Sequence, residues 1–211
     1  MKRIFTLLLT ALITSAGYSQ ASVGNPNLEN WTNQVIFDSL EYWSTSAKDF
    51  IWGDGPSNFW RDDADPHHGT YSLHMETVFR WDSDAMENDT AFGYCVKERA
   101  DENFVGFPYV DTVDQFTFWY KCDVEVGDSA VAIIQLSKGG SVYAETVYKM
   151  HGTVSTWTEA IVTIPDGDTE EPDSLWIGFA SSDPTVPGIA TEGSILEIDL
   201  VTLQWTGGTA V

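Results

Sequence analysis

Positive charge and sulfur are both scarce in this chain. Ten Lys and Arg residues stand against 32 Asp and Glu, a formal net charge of −22. Such a field repels nucleic acid and anionic membranes, and favours neutral sugars, cationic surfaces or divalent metal ions. An acidic surface also simply keeps an exported protein soluble. After the N-terminal leader no run approaches the ~20 apolar residues that a membrane-spanning helix needs. No stretch sustains a helical period, which argues against an α-helical or α/β architecture. The chain has no GxSxG, no phosphate-binding loop, no Cys–His nucleophile signature and no HExxH, so the common hydrolase and nucleotide-binding chemistries have no motif to rest on. Neither Asp62 to Gly69 nor Asp166 to Asp173 has the ligand spacing of a helix–loop–helix calcium loop. Carboxylates are everywhere but form no ordered constellation. Some pair will fall ~5 to 9.5 Å apart by chance, as glycoside hydrolysis requires, so catalysis stays undecided from sequence.

What the chain does contain begins with Met1-Lys2-Arg3, an apolar run from Ile4 to Ile13, and small or polar residues around Ser15, Gly17 and Ser19. That is the pattern of a cleaved secretory leader over residues 1–19, with no Cys at the cleavage site to accept a lipid. It points to an exported protein, with periplasm, cell surface and medium all open. Residues 20–205 are enough for one sandwich with its own core, followed by a short tail at 206–211. Strand patterns fill this region. The clearest is Val113 to Cys122, where Phe116, Phe118, Tyr120 and Cys122 share one face and Gln115, Thr117, Trp119 and Lys121 the other, as in a half-buried antiparallel strand. Similar runs are Tyr71 to Phe79, Ser129 to Ser137, Ser141 to Lys149, Trp157 to Ile164, Ser174 to Ala180 and Ile195 to Leu203. Turn chemistry at Gly127-Asp128, Gly139-Gly140, Pro165-Asp166-Gly167 and Pro184 to Gly188 separates them. Many short strands with regular turns predict an all-β antiparallel sandwich. The Asp-, Gly- and Pro-rich stretch from Trp52 to His68 reads as a long loop of the kind that carries binding groups.

Three segments, Asn25 to Trp31, Asp65 to Leu73 and Ser194 to Leu200, resemble the frame of a secreted jelly-roll module of the carbohydrate-binding type. Further segments extend the likeness over nearly the whole mature chain: Gly106-Phe107-Pro108-Tyr109, Phe116 to Lys121, Gly127 to Ala130, Pro172-Asp173-Ser174, Ser181-Ser182 and Gly193 to Leu196. In these the chain resembles the provisionally named carbohydrate metabolism domain of exported Bacteroidota proteins. The resemblance implies an antiparallel jelly roll with a carbohydrate-binding or structural role more than a catalytic one. It also implies a structural calcium held by Glu29, Asp65 and Asp199, with loop carbonyls near His68 and Gly69 completing the six to eight oxygens that calcium takes. On strand parity alone, Glu29 and Asp199 could equally be surface residues.

The other candidates come from the residues themselves. Nine tryptophans are many for one small domain, and sugar rings stack their C–H faces on flat aromatic side chains while carboxylates bond their hydroxyls. Trp52 and Trp60 in the long loop and Trp81 beside Asp82 are the expected ligand-binding residues. Trp119 faces away from the core, and Trp31, Trp43, Trp157 and Trp176 are read as core. Cys95 and Cys122 either form a disulfide in the exported compartment, worth on the order of 3 to 4 kcal/mol, or remain buried thiols. His67 and His68, adjacent on an extended segment, point apart and read as loop structure rather than as metal ligands. Asp-Ser/Thr-apolar triplets place possible O-glycosylation at Ser39, Thr90, Thr112, Ser129 and Ser174, though the same triplet also leads a turn into a strand. The expected ligand is a neutral oligosaccharide or polysaccharide. A structural or adhesive surface protein, or a small glycan hydrolase or lyase, are the alternatives.

Overall fold

The computed structural model describes residues 23–33, 38–46, 57–82, 87–97, 106–167 and 169–205. The expected leader, the tail at 206–211 and Trp52 lie outside them. Among the described residues fifteen strands account for the regular structure. They are β1 (Trp31–Asn33), β2 (Asp38–Leu40), β3 (Trp43–Thr45), β4 (Phe59–Asp62), β5 (Ser72–Glu76), β6 (Val78–Asp82), β7 (Glu87–Ala91), β8 (Tyr94–Lys97), β9 (Phe107–Pro108), β10 (Gln115–Asp123), β11 (Ala130–Lys138), β12 (Ser141–Met150), β13 (Thr153–Thr163), β14 (Ser174–Ala180) and β15 (Ile195–Gln204). A five-stranded sheet in the order β13-β10-β15-β5-β4 packs on a larger sheet in the order β12-β11-β14-β8-β3, with β9 also on β14. Two further pairs, β1-β2 and β6-β7, stand beside them, and all pairings are antiparallel. The fold is an all-β sandwich, as the strand and turn signals predict, and of the jelly-roll type that the resemblance implies.

Alternation builds the core. Phe116, Phe118, Tyr120 and Cys122 of β10 point inward with Leu73 and Met75 of β5, and meet Ile134 and Leu136 of β11 and Leu175, Ile177 and Phe179 of β14. Phe179 lies 5.8 Å from Phe116 and 5.2 Å from Phe118 between ring centroids, so one aromatic of the larger sheet is wedged against two of the smaller. Along β15 the alternation breaks. Leu196 and Ile198 face the core, then Leu200 takes φ of +47° and the register to β10 slips by one residue, so that Val201 and Leu203 resume the core face. A β-bulge of this kind leaves one residue unpaired and re-aims its neighbours. Asp199, just ahead of the bulge, keeps the outward parity of Glu197 and pairs with Trp119, and is nonetheless wholly buried.

Several sequence readings need correction. The run from Tyr71 to Phe79 is two strands, because Thr77 turns its backbone to Ser194 and Gly193 (2.8 Å each) and so leaves both ladders. The expected long loop is interrupted by β4, which pairs with β5. Cys95 sits in the larger sheet opposite Phe179, while Cys122 sits in the smaller one. Cys122 is a buried free thiol whose S–H donates to the Gly152 carbonyl at 3.5 Å, so the two cysteines are not bridged. Of the possible glycosylation sites, Ser129 and Ser174 are only 5 % and 6 % exposed, which removes them as acceptors in the folded chain. Thr112 and Thr90 are half-buried, and Ser39 lies on β2.

One end of the sandwich is closed by a buried polar network. Asp128, in the β10–β11 turn, accepts through Oδ2 from the Ser182 hydroxyl (2.6 Å), the Ser194 hydroxyl (2.8 Å) and the Thr191 amide (3.0 Å), and through Oδ1 from the Ser129 amide (2.6 Å). Thr77 Oγ1 shares hydrogen bonds with the hydroxyls of Ser181 (2.8 Å) and Ser182 (2.6 Å). A buried carboxylate is tolerated here because each oxygen has donors.

Candidate functional site on the outer face of the smaller sheet

The side chains of the five-stranded sheet that point away from the core form a transverse row. Trp60 of β4 pairs with His74 of β5, His74 with Glu197 of β15, and Glu197 with Lys121 of β10. Cross-strand partners share a face, so register alone puts one polar or aromatic side chain per strand in line. The Trp60 and His74 rings stack at 4.0 Å between centroids and 18° between planes. His74 Nδ1 lies 3.5 Å from Glu197 Oε1, and Lys121 Nζ lies 2.5 Å from Glu197 Oε2. Beyond Lys121 the ammonium sits 4.7 Å from the centre of the Trp157 ring, a cation–π contact that carries the row onto β13. An indole thus stands at each end, with imidazole, carboxylate and ammonium between.

A second, shorter row runs beside it. Trp119 of β10 is paired with Glu159 on one side and Asp199 on the other. The β4–β5 connection folds back over this row. Its His67 ring stacks on Trp119 at 3.8 Å and 14°, and the Trp157 indole N–H donates to the Asp65 carbonyl at 2.8 Å. The His68 amide donates to Asp199 Oδ2 at 2.7 Å. The Thr70 and Tyr71 amides donate to Glu29 Oε1 at 2.7 and 3.0 Å. Between them Gly69 has φ of +72°, and a Cβ there would collide with the Glu29 carboxylate, so the close approach of loop and carboxylate needs glycine.

The electrostatics follow from this packing. Burial alone would raise the Glu197 carboxyl, but bonding to His74 and Lys121 outweighs it and holds Glu197 below the usual carboxylate range. Burial would lower Lys121, but its contacts with Glu197 and Asp65 outweigh that and keep the ammonium above its ordinary value. Asp199 goes the other way. Burial pushes its carboxyl up against the opposing bonds from the His68 and Leu200 amides, and its Oδ1 is buried with no hydrogen-bond partner. One ionised and one raised carboxyl on the same strand resemble an acid–base pair, but the raised member, Asp199, is shut off from solvent. Its lone oxygen is better suited to a buried cation.

The sequence-selected residues divide accordingly. Glu29 and Asp199 strap the same loop, at Thr70–Tyr71 and at His68. Asp65 does not join them: its side chain is exposed and directed to Lys121, 3.3 Å away. Trp60 belongs to a strand, not to the loop, and is half-buried against His74. Trp81 lies on β6, paired with Asn88 of β7. Trp119 faces outward as read. Trp157, read as core, is half-buried on the outer face: Ala160 and Val162 point inward, so alternation along β13 turns Trp157 outward with Glu159, and the two-residue shift between Tyr120 and Cys122 leaves that parity unchanged. His67 and His68 are loop structure as read, with His67 serving as the cover of Trp119. His74, Glu197 and Lys121 went unselected, although the Lys121 parity was visible.

No family model and no curated relative matches this sequence. Solved structures do. A provisionally identified glycoside hydrolase from Bacteroides thetaiotaomicron superposes with a TM-score of 0.64 at 12% identity, over 86% of this chain and 71% of that one. A second such protein, from Bacteroides vulgatus, superposes with a TM-score of 0.56 at 13% identity, over 84% of this chain and 97% of that one. TmCBM61, solved with β-1,4-galactotriose, overlaps more loosely, with a TM-score of 0.44 at 13% identity over 78% and 88% of the two chains. At these identities the likeness is one of fold: this chain shares the β-sandwich of the two Bacteroides proteins.

Proposed function

We propose that this chain is an exported glycan-binding module that holds a neutral oligosaccharide or polysaccharide along the Trp60–His74–Glu197–Lys121–Trp157 row without cleaving it. The observation that carries the reading is the row itself. Five strands at the usual spacing set its two indoles about 19 Å apart, a span that suits an extended oligosaccharide better than a single sugar. The indole faces supply flat apolar surface for sugar C–H groups, and the carboxylate and ammonium supply an acceptor and a donor for hydroxyls. The acidic surroundings weigh against an anionic glycan. The motif resemblance to exported Bacteroidota carbohydrate-metabolism domains and the shared fold of the two Bacteroides proteins support the same substrate class.

A structural calcium belongs to the proposal in amended form. Asp199, with its orphaned buried oxygen, and Glu29 fit a hard cation that would fasten the 67–71 loop to the segment ahead of β1 and to β15. Asp65, engaged with Lys121, drops out of the ligand set. A glycan array of the leader-free chain tests the main reading, with the Trp60→Ala variant alongside. Binding to neutral glycans that falls by about 2 kcal/mol, roughly thirtyfold, in the variant supports it. An array with no hits, or hits indifferent to Trp60, removes the row as the binding face.

A further inference from the structure

Asp62, His74 and Glu197 stand on three neighbouring strands of the same face. Glu197 pairs with His74, and Asp62 lies two residues beyond Trp60, the partner of His74, so register brings the three side chains together. One donor atom from each falls within 4.8 Å of the others. His74 is 9% exposed, and its Nε2 is buried with no hydrogen-bond partner. An imidazole nitrogen in that state forgoes a bond that water or a cation would supply. Asp62 accepts through Oδ1 from the Ala64 amide at 2.9 Å, which leaves Oδ2 as its unspent oxygen among the bonds described. Glu76 adds negative potential, its Oε2 lying 4.0 Å from His74 Nε2.

From this juxtaposition we propose a divalent transition-metal site, of the zinc class, formed by Asp62, His74 and Glu197 on the outer face. One imidazole and two carboxylates suit zinc, and three protein ligands leave a fourth tetrahedral position for water or another ligand. Tetrahedral bonds of about 2.1 Å set donors about 3.4 Å apart, so modest side-chain rotations close the cluster. An opposing charge is Lys121, whose ammonium now occupies Glu197 Oε2. Asp65 and the Trp157 ring are already its other partners, so it has somewhere to go when a cation takes that oxygen. The site is separate from the Asp199–Glu29 calcium proposal and does not depend on glycan binding.

Calorimetric titration of the metal-stripped, leader-free chain with Zn²⁺ alone tests it, with folding of each variant checked by circular dichroism. The proposal expects one equivalent bound. Affinity should fall at least tenfold in His74→Gln and in Glu197→Gln, stay unchanged in His151→Gln, and tighten several-fold in Lys121→Met, where the competing ammonium is gone. No uptake by the wild-type chain overturns the site, as does uptake that persists in folded His74→Gln. If His74→Gln fails to fold, Lys121→Met decides alone, and an affinity that does not tighten overturns the site. Glycan binding is read separately on the array, so failure of either proposal leaves the other standing.

Discussion

Asp199 and Glu197 lie two positions apart on one strand and respond to pH in opposite senses. Glu197 is held below its ordinary range, so it contributes stability that is present above the unfolded value of about 4.3 and is lost as pH falls through the lower folded value. Lys121→Met removes one main source of that depression, and the variant should lose less stability than the wild type between neutral pH and pH 3 in urea titrations. Asp199 is raised, so in the metal-free chain its contribution is present at low pH and is lost as pH rises through the folded value. Asp199→Asn should therefore raise the melting temperature at neutral pH in a chelator. In excess calcium the order should reverse, because a cation that binds only the folded wild type stabilises it by mass action. A wild-type chain whose melting temperature ignores both calcium and chelator, with contaminating metal excluded by elemental analysis, would sink the calcium proposal.

At the scale of elements, the joint between strands matters more than any one strand. The Asp128 network gathers the β10–β11 turn, the end of β14 and the start of β15, and Asp128 itself is 4% exposed. Asp128→Ala would strand the donors of Ser129, Ser182, Thr191 and Ser194, and should cost about 3 to 5 kcal/mol in denaturant unfolding. Asp128→Asn, which keeps the shape and two of the acceptor positions, should cost less. The segments that meet here, Gly127 to Ala130, Ser181-Ser182 and Gly193-Ser194, were singled out in the sequence as separate fragments. Only the fold shows that one carboxylate joins them. Strands were legible where alternation runs long: Ser174–Ala180 was read with its observed bounds, and Phe116, Phe118, Tyr120 and Cys122 do face the core. The short β4 was not, because Phe59 to Asp62 offers four residues set in an Asp- and Gly-rich stretch, and its pairing to β5 is a tertiary event.

For the molecule as a whole, the same limit explains the site. Parity along one strand placed Trp119 and Lys121 outward, but the row that includes Lys121 is assembled from residues 60, 74, 121, 157 and 197, whose register no local pattern encodes. Parity does not encode cover: Asp199 faces outward with Trp119 yet is wholly buried because the 67–71 loop closes over it, and Trp157, on the outward parity of Glu159, reads as core on residue type alone. Charge was legible throughout. At −22 the surface repels itself, so moderate monovalent salt should raise the melting temperature, and a fall would mean that the few ion pairs, Lys121–Glu197 and Lys149–Asp183 among them, outweigh the self-repulsion. The central claim, that a glycan lies across the outer face between two indoles, is tested most directly by calorimetric titration of the best neutral glycan from the array into the wild-type chain and into a Trp60→Ala/Trp157→Ala double variant of unchanged melting temperature. Loss of binding by a hundredfold or more in the double variant is the predicted result. Affinity equal to the wild type would contradict the account.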